Sequence, residues 1–383
     1  MSAVPLAETQ ATETVDPPAE PPPRATLLNV QTLRALAAFM VVCVHIQALA
    51  LMAGAPAKVT EAGNAGVDLF FVISGFIMVF TTGRKPMGPA AFFGARLRRI
   101  APLYWSVTLA VFLVARLAPS LVQNTPTDLG RLLASILFLP DLRPDGTMRP
   151  VVFVGWTLNF EMAFYVLFAL GLAARRRWLG IVGTVGALIA AVAWGQAVHP
   201  AEPVLGFYTQ PMALEFALGM LLGLAWPRLK PPPWAKWPLV LAGVAAFALM
   251  LAAPELWPGM DRLIAFGLPA GVIVAACLML ELQGWAIRWR WVKALGAASY
   301  AVYLSHFFVT QAVILVAHKA GLHGPLAAGL AAAVAFVGVA VAGLILHRSL
   351  EQGGDRLIGW LLSRRERPVA PPHAVLPKAK SVY

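Results

Sequence analysis

Charged residues are scarce in this chain. They make up 13% of its 383 residues, whereas soluble globular domains carry roughly 25%. Hydrophobic residues make up 59% and are grouped in blocks of about 20, each long enough to cross the ~30 Å hydrocarbon core of a bilayer. The scarcity of charge excludes an ordinary soluble domain, and the blocks predict an all-α, polytopic helix bundle in a lipid bilayer.

Cysteine is also scarce, and acidic residues are fewer than basic residues. Cys43 and Cys277 lie inside apolar blocks, which excludes a disulfide framework, and neither they nor the histidines have the spacing of metal ligands. Lysine and arginine number 30 against 18 acidic residues. They form short clusters between the apolar blocks and no aromatic-interleaved basic domain, so we expect no metal and no nucleic-acid partner.

The apolar blocks predict about ten membrane spans. They lie near residues 30–50, 66–83, 100–119, 154–174, 179–198, 209–226, 238–253, 263–283, 297–317 and 326–347. The basic clusters occupy alternate connections, as in cytoplasmic loops, which predicts that both termini are cytoplasmic. We therefore expect a transmembrane domain over 27–350. The proline-rich segment 1–26 has no apolar signal region and is predicted to be a disordered cytoplasmic tail, and 351–383 a basic cytoplasmic tail.

Ionisable residues inside the blocks are the first candidates for function. A charged side chain at the centre of a span costs roughly 2.5–3.5 kcal/mol, so such residues usually face the bundle interior and work there. Arg34 and His45 are eleven residues apart, which places them within about 20° on one helix face and ~16 Å apart along it. A snorkelling arginine and a core histidine are the structural alternatives. For the aligned pair we favour a functional role in a common polar chamber.

The second block and the basic connection after it contain further candidates. Asp68 is placed to orient a histidine or to accept backbone N–H groups at a helix N-terminus. Ser74 and Gly75 predict a close approach of two helices. Arg96 and Arg99 are i,i+3 neighbours on one helix face and suit a phosphate-bearing ligand, because guanidinium binds phosphate in a bidentate manner. Ordinary positive-inside charge is the alternative.

Later blocks add a buried acid and a polar stripe. Glu161 lies well inside the fourth block, with hydrogen-bonding side chains on both sides of it. In the ninth block Ser299, Tyr303 and His306 fall at i, i+4 and i+7 and form one polar stripe. His306 in this stripe either lines a cavity or joins the bundle by a hydrogen bond.

The sixth block combines an acid with two glycines. Glu215 requires a partner inside the membrane, for which a buried arginine is the natural choice. Gly219 and Gly223 follow it at four-residue steps and predict close helix packing.

Five segments together resemble the acyltransferase-3 family, and most closely its exopolysaccharide-modifying branch. They are Arg34 to His45 (R-x(10)-H), Gly66 to Phe76 (G-V-D-x-F-F-V-x-S-G-F), Arg96 to Tyr104 (R-x-x-R-I-x-P-x-Y), Trp156 to Tyr165 (W-[ST]-L-x-x-E-x-x-F-Y) and Ser299 to His306 (S-Y-x-x-Y-L-x-H). In order and spacing these segments cover most of the chain. No position that we expect to be functional departs from the family pattern.

The resemblance implies an enzyme of the plasma (inner) membrane. Such an enzyme transfers an acyl group, with acetyl favoured, from cytoplasmic acyl-CoA to a carbohydrate hydroxyl. Donor binding is then expected at Arg34, Arg96 and Arg99, and general-base catalysis at His45, with Asp68 or Glu161 orienting its imidazole. The substrate cavity is expected to contain Ser74, Trp156, Asn159, Tyr165, Tyr300, Tyr303 and His306.

Two features bear on the mechanism and on the class of protein. No G-x-S-x-G motif or cysteine nucleophile is present, which favours direct transfer, and an acyl-histidine intermediate stays open. A transporter or flippase for a polysaccharide precursor would also keep buried charge in a polytopic bundle. The chain, however, has no inverted repeat and no matched pair of spans broken by glycine or proline. A non-catalytic assembly subunit is the third possibility.

Overall fold

The computed structural model describes residues 27–119, 125, 127–143 and 146–353. The predicted tails, 1–26 and nearly all of 351–383, lie outside these ranges. The described part of the chain is helical, without a β-strand; one isolated bridge pairs Leu142 with Met148. The helices are α1 (Leu28–His45), α2 (Gln47–Met52), α3 (Ala65–Arg84), α4 (Pro89–Leu117), α5 (Leu129–Ile136), α6 (Trp156–Leu172), α7 (Arg177–Val198), α8 (Pro203–Tyr208), α9 (Ala213–Ala225), α10 (Lys236–Leu256), α11 (Leu268–Leu282), α12 (Arg290–Ala297), α13 (Ser299–Lys319) and α14 (Pro325–Leu346).

Within the described ranges, nine helical segments are long and apolar enough to cross a membrane. They are Leu28–His45, Thr60–Arg84, Pro89–Leu117, Phe153–Leu172, Arg177–Val198, Pro233–Leu256, Leu263–Leu282, Ser299–Lys319 and Pro325–Glu351. This confirms the predicted polytopic, all-α bundle. Helix α9 coincides with the predicted span 209–226, but its 13 residues rise only about 20 Å, so it falls short of a full span.

Glycines explain how α9 packs against α3. A Cβ atom on Gly219 would lie 1.9 Å from the Val72 carbonyl oxygen, and one on Gly75 would lie 2.1 Å from the Phe216 carbonyl oxygen. Only glycine permits backbones to approach this closely. The two helices run parallel, because Gly223 lies against Val79 and, further along, Trp226 packs on Phe80 with ring centroids 6.2 Å apart. The predicted packing role of these glycines is confirmed.

The start of α1 is held by another helix. Its N-cap residue, Leu27, has no side-chain acceptor, so the first backbone N–H groups, those of Leu28 and Asn29, donate instead to the carboxylate of Glu281 at the end of α11. The Asn29 amide also donates to the Cys277 carbonyl oxygen at 2.9 Å. These bonds satisfy donors that a helix N-terminus otherwise leaves unpaired and hold the start of α1 against the end of α11.

Two boundaries differ from the sequence prediction, and both affect the site. Helix α1 ends at His45, because Ile46 leaves the helical conformation (φ −101°, ψ 15°) before α2 resumes at Gln47. The predicted span 30–50 is therefore interrupted, with His45 at the end of a helix. Helix α4 begins at Pro89, well before the predicted residue 100, and continues through Pro102. The predicted arginine pair, expected on one helix face, consequently lies within the long helix α4.

Candidate active site

A cavity of about 300 Å³ lies between α1, α3, α4, α6 and α13. The structure brings eight of the predicted site residues to its wall: Arg34, Ser74, Arg96, Arg99, Glu161, Tyr165, Tyr300 and Tyr303. They come from five helices that are far apart in sequence. The start of α1, the end of α3 and the first half of α4 form what we call the basic end of the cavity. Phe70, Thr157 and Tyr303 form the opposite end, which we call the closed end.

Glu161 connects two helices inside the cavity. Its carboxylate accepts a hydrogen bond from Ser74 Oγ at 3.0 Å and another from the Tyr165 hydroxyl. Ser74 lies on α3, and Tyr165 lies one turn along α6. The two bonds orient the carboxylate into the cavity between them. Glu161 does not contact His45, so the structure does not bring together this predicted acid and base.

The basic end carries more positive charge than the cavity wall neutralises. The Arg96 guanidinium donates to Thr81 Oγ1 at 3.0 Å and lies over the Phe92 ring at 5.3 Å. Within the described part of the chain, Arg34 and Arg99 form no hydrogen bond or ion pair. Glu161 is the one carboxylate among the lining residues. Glu351 lies outside the lining but close enough for its charge to act on Arg34. Three guanidinium groups against these two carboxylates leave a net positive charge, which suits an anionic ligand.

Tyr303 closes the opposite end. Its hydroxyl is 2.9 Å from Thr157 Oγ1 and donates to the Val154 carbonyl oxygen at 3.1 Å. Its ring packs edge-on against Phe70, with centroids 5.9 Å apart. On its other side, the Tyr303 ring contacts the imidazole of His306 at 5.6 Å. Tyr303 is therefore the boundary between the cavity and a second polar centre.

That second centre is a pair of histidines. His45 Nδ1 lies 3.2 Å from His306 Nε2 and 3.0 Å from the Val41 carbonyl oxygen, and the two rings meet edge to face at 4.7 Å. Phe153 and Phe307 pack around His45 at 5.9 and 5.6 Å. His306 is fully buried, whereas His45 is partly exposed. Of the two histidines, only His45 is accessible from outside the helix bundle.

Arg34 and His45 do not share one chamber. Arg34 lines the cavity, whereas His45 is not among the lining residues. Tyr303 lines the cavity and packs on both Phe70 and His306, and His306 in turn contacts His45. Sequence periodicity placed the two side chains on one helix face, but it carries no information about what neighbouring helices insert between them.

Comparison with known proteins identifies the family of the chain. Residues 27–346 match the sequence model of a family described as an acyltransferase domain. The chain belongs to the acyltransferase-3 family. The predicted resemblance and the prediction of an enzyme are thereby confirmed. Because the chain is an acyltransferase, the transporter and assembly-subunit alternatives are no longer needed.

Several curated proteins are similar to this acyltransferase. The exopolysaccharide production protein ExoZ of Rhizobium meliloti is 38% identical over 274 residues, which is 69% of this chain and 81% of ExoZ. The acyltransferase MdmB of Streptomyces mycarofaciens is 29% identical over 91% of this chain and 96% of its own. The peptidoglycan O-acetyltransferase OatA of Listeria monocytogenes is 25% identical over 73% of this chain and 48% of its own. No solved structure matches the chain.

Asp68 is paired with an arginine and not with a histidine. Arg262 Nε and Nη2 donate to its two oxygens at 3.0 and 2.7 Å, and Nη2 also donates to the Asn64 carbonyl oxygen at 3.2 Å. The predicted role of Asp68 in orienting His45 is not supported by this placement. Arg262 is not among the candidate residues of the sequence analysis. The usable signal was the buried acid itself, which requires a cation.

Glu215 lies close to the same pair. It is fully buried, and its charged neighbours include Asp68 and Arg262. Neither of its carboxyl oxygens has a hydrogen-bond partner within the described residues. The expected direct bond from a buried arginine is therefore not formed, because Arg262 is already engaged by Asp68 and Asn64.

Three residues predicted to line the substrate cavity lie elsewhere. Trp156 and Asn159 are about 140° and 160° from Glu161 around the axis of α6, so they face away, and the Trp156 ring packs on Phe160 at 6.2 Å. His306 is on the same face of α13 as Tyr303, but one turn beyond the point at which the cavity ends.

Among the described residues no group of three or more histidine, cysteine, aspartate or glutamate side chains could hold a metal ion.

Proposed function

We propose that this acyltransferase transfers an acyl group, acetyl in the simplest case, from cytoplasmic acyl-CoA to a hydroxyl group of a cell-surface polysaccharide. One observation carries the proposal: a cavity with excess positive charge ends at Tyr303, and Tyr303 contacts a histidine pair whose other member is partly exposed. A donor site and an acceptor site thus meet at one side chain. Two relatives, the exopolysaccharide production protein ExoZ and the peptidoglycan O-acetyltransferase OatA, support a carbohydrate acceptor by their names.

The donor is assigned to the cavity. Acyl-CoA carries several phosphate groups, and Arg34, Arg96 and Arg99 supply guanidinium groups that bind phosphate well. The volume of about 300 Å³ is at the lower end for ligand pockets, roughly 300–1,000 Å³. It suits the narrow acyl-pantetheine arm, with the nucleotide remaining at the basic end. The thioester then points towards Tyr303.

The chemistry is assigned to His45. A carbohydrate hydroxyl approaches from the side opposite the basic end, and the imidazole takes its proton as the oxygen attacks the thioester carbonyl carbon. The new C–O bond forms, the C–S bond breaks, and the proton returns from the imidazolium to the departing thiolate. The products are an ester and free CoA. Reaction requires the ring layer of Phe70 and Tyr303 to move aside for the thioester.

The proposed roles of the remaining polar residues follow from their contacts. Glu161 positions Ser74 and Tyr165 around the donor arm and partly balances the guanidinium groups. Tyr300 donates to the Ile100 carbonyl oxygen at 2.9 Å and anchors α13 to α4 at the basic end. Asp68 is assigned a structural role through Arg262.

The proposed orientation places the basic end in the cytoplasm, in a plasma (inner) membrane. The basic clusters between spans support it. The parallel packing of α9 on α3 supports it as well, because a short tenth crossing by α9 returns the following basic segment, with Arg228 and Lys230, to the same side. Both ends of the transmembrane domain then face the cytoplasm.

The first test measures donor binding by titration calorimetry with acetyl-CoA and detergent-purified protein. Arg34→Gln and Arg99→Gln should each weaken binding roughly tenfold or more, because a hydrogen bond to a charged group contributes about 1.5–3 kcal/mol. Arg98→Gln is the matched control: Arg98 is next to Arg99 on α4 but is exposed and does not line the cavity. Equal affinity in all three variants would remove the donor from this cavity.

The second test measures transfer in proteoliposomes. Radiolabelled acetyl-CoA is supplied together with surface polysaccharide from a strain that lacks this protein. Label should appear on the polysaccharide and should be released by mild alkali, as expected of an ester. Label on lipid or protein alone would refute the proposed acceptor, and failure of the protein to bind acetyl-CoA would refute the proposed donor.

A further inference from the structure

We infer that His306 is a positioning residue that holds His45 in the tautomer with a proton on Nδ1 and a free lone pair on Nε2. This inference rests on the proposed function, because it names the device that makes His45 a base. It goes beyond that function by assigning a role to a buried side chain that touches neither the cavity nor the outer surface. The four ring nitrogens of the pair and the carbonyl oxygens of Tyr303 and Val41 carry the argument.

The first step assigns the proton of His306. Its Nδ1 contacts the backbone carbonyl oxygen of Tyr303. A carbonyl oxygen only accepts hydrogen bonds, so Nδ1 must be the protonated nitrogen. The ring is fully buried, and its polar contacts among the described residues are this carbonyl and His45. No carboxylate there balances a positive charge, which favours the neutral ring. The neutral ring has one N–H, so Nε2 carries a lone pair.

The second step assigns the proton of His45. Its Nδ1 faces two atoms, His306 Nε2 at 3.2 Å and the Val41 carbonyl oxygen at 3.0 Å. Both are acceptors once the proton of His306 has been assigned. His45 Nδ1 therefore carries a hydrogen that the two acceptors share. The pair contains one proton on each Nδ1, and no donor faces another donor.

The third step concerns the free nitrogen of His45. Its Nε2 makes no hydrogen bond within the described part of the chain, and the His45 side chain is partly exposed, whereas His306 is not. A general base needs a nitrogen lone pair within reach of the hydroxyl proton. The carbonyl of Val41 belongs to the preceding turn of α1 and favours the same tautomer. His306 adds an acceptor from a second helix, α13, and so restrains the ring from flipping and from rotating away.

The direction of the relay follows from these assignments. When His45 takes the proton of the acceptor hydroxyl at Nε2, it becomes an imidazolium with its new N–H on Nε2, while its original Nδ1–H stays directed at the lone pair of His306 Nε2. That neutral acceptor stabilises the imidazolium without taking its proton. His306 acts through His45 alone and contacts no reacting atom, which is why we call it a positioning residue.

The test compares an acceptor with an apolar side chain at position 306. His306→Gln can present an amide oxygen to His45 Nδ1, whereas His306→Leu fills space without an acceptor. We expect kcat in the proteoliposome assay to fall roughly tenfold or more in His306→Leu, since general-base catalysis contributes about 10²–10⁴-fold. KM for acetyl-CoA should change less than twofold, and His306→Gln should recover much of kcat. His318→Leu is the matched control, because His318 is an exposed histidine on the same helix.

The outcomes separate a positioning role from packing. A wild-type kcat in His306→Leu overturns the inference, and so does a His306→Gln variant that binds acetyl-CoA normally but is no more active than His306→Leu. A second measurement uses the unmodified protein and does not depend on whether variants fold. Nitrogen NMR of histidine-labelled protein in liposomes, with the His45 signals assigned by their loss in His45→Gln, should show Nδ1 protonated and Nε2 unprotonated near neutral pH. The opposite tautomer overturns the inference even if transfer is observed, whereas the expected tautomer without any transfer would refute the proposed function alone.

Discussion

Arg262 donates hydrogen bonds to both carboxylate oxygens of Asp68, at 3.0 and 2.7 Å, although 194 residues separate them. The Asp68 side chain is completely buried, and the Arg262 side chain is 32% exposed. The pair joins the first turn of α3 to the segment that leads into α11, beside the buried Glu215. Removing one member of a buried pair leaves an uncompensated charge in the interior. The relationship therefore predicts a large contribution to stability.

Arg262→Gln should destabilise the protein by about 3–5 kcal/mol, because Asp68 then loses its cation while it remains buried. Thermal unfolding of detergent-purified protein measures this effect. In the double variant Asp68→Asn with Arg262→Gln, much of the stability should return, since no charge is left unpaired. Lys58→Gln provides the comparison, because Lys58 and Glu255 form an exposed pair at 4.0 Å that should contribute at most about 1 kcal/mol. Equal melting temperatures in the Arg262→Gln and Lys58→Gln variants would contradict the prediction.

His45→Gln should abolish acyl transfer and leave acetyl-CoA binding within about twofold of wild type, because His45 lies beyond the closed end of the cavity. The expected loss in kcat is about 10²–10⁴-fold, the usual contribution of a general base. Transfer in proteoliposomes and titration calorimetry on the same preparation measure the two quantities. Full transfer by a folded His45→Gln variant would end the assignment of the base. A parallel loss of donor binding would place His45 in the donor site instead.

Tyr303→Phe should increase the release of CoA from acetyl-CoA in the absence of any acceptor. The variant keeps the ring but loses the hydroxyl that contacts Thr157 and the Val154 carbonyl oxygen, so the layer between donor and solvent is held less firmly. A thiol-reactive dye follows the free CoA. Tyr300→Phe is the control, since its hydroxyl bonds to Ile100 at the basic end. If Tyr303→Phe releases CoA no faster than wild type, the hydroxyl does not hold the partition closed.

Gly219→Ala should greatly reduce the yield of folded protein. The added Cβ atom would lie 1.9 Å from the Val72 carbonyl oxygen, and backbone cannot yield as a side chain does, so the cost is expected at or above the usual 1–3 kcal/mol of overpacking. Gly271→Ala on α11 is the matched change, because its new Cβ would meet Leu218 at an ordinary 3.6 Å. Size-exclusion profiles of the two variants compare them directly. Similar profiles would show that α3 and α9 can separate without loss of the fold.

Glu161→Gln should bind acetyl-CoA at least as tightly as wild type. The substitution removes the one carboxylate of the cavity wall and leaves three guanidinium groups, so attraction for an anionic donor increases. An amide oxygen can still accept from Ser74 and Tyr165, which preserves the shape of the cavity. Calorimetry at low and high salt measures the affinity and its electrostatic part. A tenfold weaker affinity would mean that Glu161 contacts the donor directly.

The order of the helices and the close packing of α9 could be predicted from the sequence, because both depend on local properties of the chain. Apolar blocks of sufficient length predict membrane helices, and the four-residue steps from Glu215 to Gly219 and Gly223 predict close packing of α9. Both predictions are confirmed. The break of α1 at Ile46 carried no such signal, since the apolar block continues to residue 50. Helix α4 was predicted too short, because its first turns carry the charges that mark a membrane boundary.

The candidate site could be predicted only in part, for a similar reason. Helical periodicity identified the stripe that contains Tyr303, the position of Glu161 inside a span identified a buried acid, and the family resemblance placed Ser74 in the substrate cavity. Periodicity within one helix does not report which side chain of another helix lies opposite, so the pairing of Asp68 with Arg262 was not predicted. For Trp156 and Asn159 periodicity was sufficient, because angles of about 140° and 160° from Glu161 already place them on another side of α6.

The sequence alone determined that this protein is a helical membrane acyltransferase, because hydrophobic length and family motifs are linear properties of the chain. It also determined which side chains share a face of each helix. Only the tertiary structure decided where the cavity stops, which carboxylate meets which guanidinium, and that His45 meets His306. Those outcomes depend on distances between helices, and such distances arise from the packing of residues that are separated by hundreds of positions in the chain.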